Sequence, residues 1–158
     1  MRNKTENRYE SRSRARRRAL QALYQWQLTG LEVGEIIAQF REEQDFSNVD
    51  TELFATLVRK VSRDQAALDE KIEPFLDRPL KQLDVIEHVI LSMGAYELIN
   101  SIEVPHQVVI DEAINLAKLF GAEQGYSYIN GVLDKAVKQL RDPAASLPFN
   151  RAWSNEGV

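Results

Sequence analysis

The chain has 158 residues, 44% of them hydrophobic, and no cysteine, so one ordinary domain can bury a core without disulfides, and no thiolate site exists. Its net charge of −4 is unevenly spread: residues 1–18 hold eight basic and two acidic residues, net +6, which leaves −10 for the other 140. The front end therefore attracts polyanions by releasing their counterions while the body repels them, which limits indiscriminate binding.

Apolar residues recur at helical spacing almost from end to end. Leu20, Leu23 and Tyr24 start the first helix, just after the run Arg12-Ser13-Arg14-Ala15-Arg16-Arg17-Arg18. The apolar stretch Ala19 to Leu28 is interrupted by Gln21, Gln25 and Gln27 and is too short to span a bilayer, which predicts a soluble, cytoplasmic protein. Val33, Ile36, Ile37 and Phe40 mark a second helix. A third opens on Asp50 as N-cap, with Val49 and Phe54 placed as a hydrophobic staple, and continues through Leu57, Val58 and Val61. Leu68, Ile72, Phe75 and Leu76 form a fourth stripe that Pro74 must kink or end, and Pro79 closes the first half.

The second half begins at Asp84 and Glu87, spaced like a capping box, and runs through Val85, Ile86, Val89, Ile90, Leu91, Met93, Tyr96 and Leu98. It is apolar nearly all round, which predicts the central buried helix. After Pro105, a stripe of Val109, Ile110, Ala113, Ile114, Ala117 and Phe120 ends at Gly121, placed as the C′ residue. The last helix carries Ile129, Val132, Leu133, Ala136, Val137 and Leu140, and Pro143 marks its end. No stretch alternates with period two. The expectation is an all-α fold of about seven helices in two packed subdomains that meet near residues 77–83. Residues 1–11 are expected as a mobile basic tail, 12–142 as the domain and 143–158 as a second mobile tail, with Trp153 able to dock back.

Catalytic groups are sparse. His88 and His106 lack metal-ligand spacing and read as structural or surface residues. Glu42-Glu43 and Asp111-Glu112 are adjacent, so each pair diverges by about 100° around a helix; they read as solvated faces. Glycines around Gly121–Gly125 and Asn130-Gly131 match no phosphate loop. The chain is expected to be no enzyme and to need no cofactor or metal. RNA recognition combines cations on phosphates with aromatic and amide groups against unstacked bases. Both ingredients are present: the arginines, and Gln124, Tyr126, Ser127, Tyr128 and Asn130 at the start of the last helix. Tyr128 and Asn130 serve equally well as packing and capping residues.

Several blocks in order carry a resemblance: Ala15-Arg16-Arg17-Arg18-Ala19-Leu20-Gln21-Ala22-Leu23-Tyr24-Gln25-Trp26; Ile86-Glu87 through Tyr96-Glu97-Leu98; Val104-Pro105; Asp111 to Lys118; and Tyr128-Ile129-Asn130-Gly131-Val132-Leu133-Asp134-Lys135. From about residue 12 to 141 the chain resembles the NusB family of bacterial transcription antitermination factors. The resemblance implies an all-α fold of two small helical bundles and a non-enzymatic role. Such proteins pair with ribosomal protein S10 (NusE), bind boxA-type single-stranded RNA, notably in ribosomal RNA leaders, and join the RNA polymerase antitermination complex with other Nus factors.

Carried over residue by residue, the resemblance places RNA binding on Arg12, Arg14 and Arg16, with Tyr128 near the last helix, and S10 contact on Tyr24 and Glu87; Arg17, next in the basic run, and Gln124 are added as further candidate RNA contacts. Ser13 stands where the family's run has a further Arg, and Gln124 where it has an acidic residue, so a contact at Gln124 would be a neutral one. Glu87 has a structural rival role in the capping box, and Tyr24 in core packing. Two other readings stand beside this one: an RNA-binding accessory module of a ribosomal RNA methyltransferase system, and a homodimer formed through the partner surface.

Overall fold

The computed structural model describes residues 4–121 and 125–141. Among them are seven α-helices and two short 3-10 turns, and no strand. The order is α1 (Lys4–Thr29), α2 (Val33–Glu43), α3 (Thr51–Arg63), α4 (Gln65–Ile72), 3-10 turns at Glu73–Phe75 and Leu80–Gln82, α5 (Val85–Asn100), α6 (His106–Leu119) and α7 (Gly125–Arg141). The fold class is thus the all-α one that the periodicities imply.

The chain divides into two compact units, Met1–Gln65 and Ala66–Val158. The expected boundary at residues 77–83 is displaced toward the N-terminus. Pro74 and Pro79 do break the helical run, but Leu68 and Ile72 of α4 are buried and the Glu73–Phe75 turn touches α7, so this segment belongs with the second unit.

In the first unit α1 packs against α3 and α2. Ala15, Ala19, Leu20, Ala22 and Leu23 of α1 are buried, as are Ile36, Ile37 and Phe40 of α2 and Phe54, Leu57, Val58 and Val61 of α3. The start of α3 is the one its sequence prescribes: the Asp50 carboxylate accepts from the Leu53 N–H at 2.9 Å. The loop at residues 44–50 is pinned by Phe46, whose ring meets that of Phe54 edge-on at 4.9 Å.

α1 starts at Lys4, so most of the segment set apart as a tail, residues 1–11, is helical. Glu6 in the first turn complements the helix dipole, and the Asp50 N–H donates to the Ser11 carbonyl at 3.1 Å, tying this part of α1 to the start of α3. The expectations for Gln124, for Pro143 and Trp153, and for the tail at 143–158 lie outside the described residues.

In the second unit α5, α6 and α7 pack on one another. Every residue of α5 from Val89 to Leu98 is buried, which makes it the central helix. Gly94 allows α7 close: a Cβ there would stand 3.1 Å from Leu133 Cδ1. Gly121, at φ +92°, takes the left-handed conformation expected of a C′ residue after α6. His88 Nε2 lies 2.7 Å from Asp69 Oδ1, joining α5 to α4. One expectation is corrected: Glu112 is buried, not on a solvated face. It falls in register with Val109, Ala113 and Leu116 on the inner side of α6, while the neighbouring Asp111 is exposed.

Candidate nucleic-acid interface

In the first unit, the N-terminal half of α1 and the 44–50 loop enclose a polar groove of about 600 Å³, lined by Arg8, Glu10, Arg14, Ser47 and Asn48 among others. Of the α1 arginines Arg8 and Arg14 line this groove, and helical periodicity sorts the others. Arg14 is half-buried and loosely held: Nη1 donates to the Asn48 carbonyl at 3.4 Å and Nη2 lies 3.5 Å from Glu10 Oε1. Arg12 is half-buried, and its Nε is enclosed without a hydrogen-bond partner. Arg17 is half-buried and donates to no described residue.

Arg16 departs from the expectation of a phosphate contact. Only 3% of it is exposed, because it shares the inward face of α1 with Ala19, Leu20 and Leu23, three, four and seven residues on. Arg18 has a structural task as well: Nη2 donates to the Asp45 carbonyl at 3.1 Å and the guanidinium lies 5.8 Å from the Phe46 ring centre, with Arg41 at 5.4 Å. The Ser47 N–H, donating to Asp45 at 2.9 Å, holds that carboxyl below its usual range, with Arg18 adding to the effect. Farther along α1, Tyr24 is 37% exposed and Leu28 59%, one turn apart on the same face, and Leu31 is exposed after them. The Tyr24 ring is therefore not a core residue.

In the second unit the expected aromatic residue has company that spacing alone could not reveal. The Arg78 guanidinium lies 4.2 Å from the centre of the Tyr128 ring, and Arg78 Nε donates to Asp77 Oδ1 at 2.8 Å. The Asp77 N–H donates to the Tyr128 hydroxyl at 3.4 Å. Desolvation raises the Tyr128 pKa, so its phenol stays protonated near neutrality, while the bond from Arg78 lowers that of Asp77. Arg78 and Asp77 are exposed and Tyr128 is half-buried. Tyr126, two positions earlier on α7, carries Lys118 4.8 Å from its ring centre.

Glu87 is half-buried at the third position of α5. Its N–H donates to the Asp84 carboxylate at 2.8 Å, but its own carboxylate accepts from no described residue, so only half of the capping box forms. Its charge acts on Arg78. Among the described residues no group of three or more His, Asp or Glu is placed to hold a metal ion, and no helix is long and apolar enough to cross a membrane.

Comparison with known proteins gives a consistent result. The NusB family model matches residues 13–138. The chain is 51% identical over 136 residues to the transcription antitermination protein NusB of Alcanivorax borkumensis, covering 86% of this chain and 91% of that one. It is 50% identical over 131 residues to its counterpart in Idiomarina loihiensis, covering 83% and 94%. Among solved structures it is similar to T. maritima NusB, with a TM-score of 0.72 at 27% identity over 84% of this chain and 94% of that one. It is also similar to a crystal structure of the antitermination factors NusB and NusE in complex with dsRNA, with a TM-score of 0.73 at 30% identity over 83% and 97%.

Proposed function

The chain belongs to the NusB family, and from that premise we propose that it is a non-enzymatic, cytoplasmic transcription antitermination factor that pairs with ribosomal protein S10 (NusE) and binds boxA-type RNA. The pair, with other Nus factors, helps RNA polymerase read through terminators, notably in ribosomal RNA operons. The observation that carries the reading is that residues 4–18, net +5, lie in one helix, with Arg8 and Arg14 lining a polar groove on an otherwise acidic chain.

Within this reading Arg12, Arg14 and Arg17 neutralise phosphates. Their support is physical: none is held by a short ion pair, so a phosphate can replace the long contacts of Arg14 and draw on the charge of the half-buried Arg12 and Arg17. Arg16 is left with a packing role. Tyr128 is the residue for a base, and Gln124 adds a neutral contact. Tyr24 and Glu87 serve S10. The exposed Tyr24–Leu28–Leu31 surface and the carboxylate of Glu87 offer an aromatic anchor and an unspent charge, which are what a protein partner recognises.

A gel shift with this protein, purified S10 and a short boxA-type RNA, run singly and in combination, tests the reading. The mixture should bind more tightly than either protein alone and prefer boxA over a scrambled sequence. Equal binding of both RNAs by the mixture would contradict it.

A further inference from the structure

We propose that Arg78 is an RNA-contacting residue, and that its guanidinium, laid over Tyr128, is the platform on which one unstacked nucleobase of the bound RNA rests. The proposal rests on the RNA-binding reading above and refines it: the surface that meets the base is the Arg78 guanidinium, with Tyr128 behind it.

Three observations lead there. At 4.2 Å the guanidinium covers a face of the Tyr128 ring, and Arg78 is exposed where Tyr128 is half-buried, so the outermost plane of the stack belongs to the arginine. The plane is also fixed in place. Asp77 holds Nε at 2.8 Å, and the Asp77 N–H in turn holds the tyrosine hydroxyl, so the arginine, tyrosine and aspartate form a closed set. A guanidinium prepared in this way loses little rotamer freedom on binding.

Local charge then selects the ligand. Arg78 contributes +1, but Asp77 is bonded to it and Glu87 also acts on it, so the cluster is net negative and disfavours a phosphate. A neutral base meets no such penalty, and arginine planes as well as aromatic rings stack on bases. The Nη groups, which donate to no described residue, remain able to reach an acceptor on the base edge.

The test uses Arg78→Ala and Arg78→Lys in the full chain, mixed with S10, against boxA-type RNAs in which each base in turn is replaced by an abasic site. For the wild type one abasic position should weaken binding about tenfold, within the range that stacking on a single base contributes. In both variants intact RNA should bind about tenfold more weakly, that one position should no longer matter, the other positions should keep their effects, and the dependence on salt should stay the same. Thermal melting of the variants checks that the fold persists. Four outcomes would overturn the proposal: wild-type affinity in Arg78→Ala; full rescue by Arg78→Lys; a salt slope shallower by about 0.7, the mark of an arginine that neutralised a phosphate; or a uniform loss with the abasic profile retained, the mark of an arginine that only positions Tyr128. Wild-type protein that binds no RNA even with S10 overturns the functional reading and this proposal together, whereas the other four spare the former.

Discussion

Glu10 Oε1 lies 3.5 Å from Nη2 of Arg14, one turn later on α1, with about a third of each side chain exposed. The carboxylate thus occupies an edge of the guanidinium that a phosphate would take. Glu10→Gln removes this competitor and one negative charge from the groove wall. RNA affinity should rise about threefold, in keeping with the small free energy of an exposed pair, and filter binding at low salt checks it. A fall in affinity would show that Glu10 serves the site instead.

Asp50 links two helices with different atoms: its carboxylate caps α3 through the Leu53 N–H, while its own N–H donates to Ser11 of α1. Asp50→Ala removes only the first link. The expected loss is about 1 kcal/mol of stability, read by urea denaturation, and Asp50→Ser should recover most of it because a hydroxyl accepts the same bond.

Arg141, the last residue of α7, donates to the carbonyls of Glu97, Leu98, Ser101 and Val104, closing the C-terminal end of α5 and the loop that follows. The Glu97 and Ser101 carbonyls also accept from the Ser101 and Val104 N–H groups, whereas Leu98 lies in the last turn of α5, where carbonyls lack a partner within the helix. Arg141→Met keeps the aliphatic stem and should cost about 2–4 kcal/mol, since charge-assisted bonds and orphaned acceptors both contribute. Arg141→Lys should rescue little, because a single ammonium cannot serve four acceptors set around a planar fork. Thermal melting of the three proteins is the check.

The Asp77 carboxyl titrates below its usual range, chiefly because Arg78 donates to it. A carboxyl with a depressed folded value contributes stability above its unfolded value of about 3.9, and that contribution is lost as pH falls through the folded value. Arg78→Ala should raise the Asp77 pKa toward the ordinary one, visible by NMR titration of the side-chain carboxyl carbon. An unchanged value would mean that the pair does not persist in solution.

Much of the architecture was legible because it is written in local periodicity and in end signals: Asp50 and Asp84 cap the helices they precede, Gly121 takes the left-handed turn, and the run from Val89 to Leu98 is buried on every side. The division between the units was misplaced because prolines report where helices break, not which core a segment joins. For Arg16 the signal was present but outweighed by its charge: it stands in register with Ala19, Leu20 and Leu23, and a helical wheel already turns it inward. Glu112 follows the same logic. Arg78 had no such signal, since it meets Tyr128 fifty residues away, and stacking across that separation leaves no mark in either neighbourhood.

If the α1 arginines hold RNA by its phosphates, their removal must change the salt dependence of boxA RNA binding in the presence of S10. For wild type against the triple variant Arg12→Ala, Arg14→Ala, Arg17→Ala, the slope of log affinity on log salt should become shallower by about 2, roughly 0.7 for each phosphate of a single strand that is no longer neutralised. Affinity at low salt should fall steeply while the melting temperature holds. Identical slopes for the two proteins would mean that these arginines neutralise no phosphate.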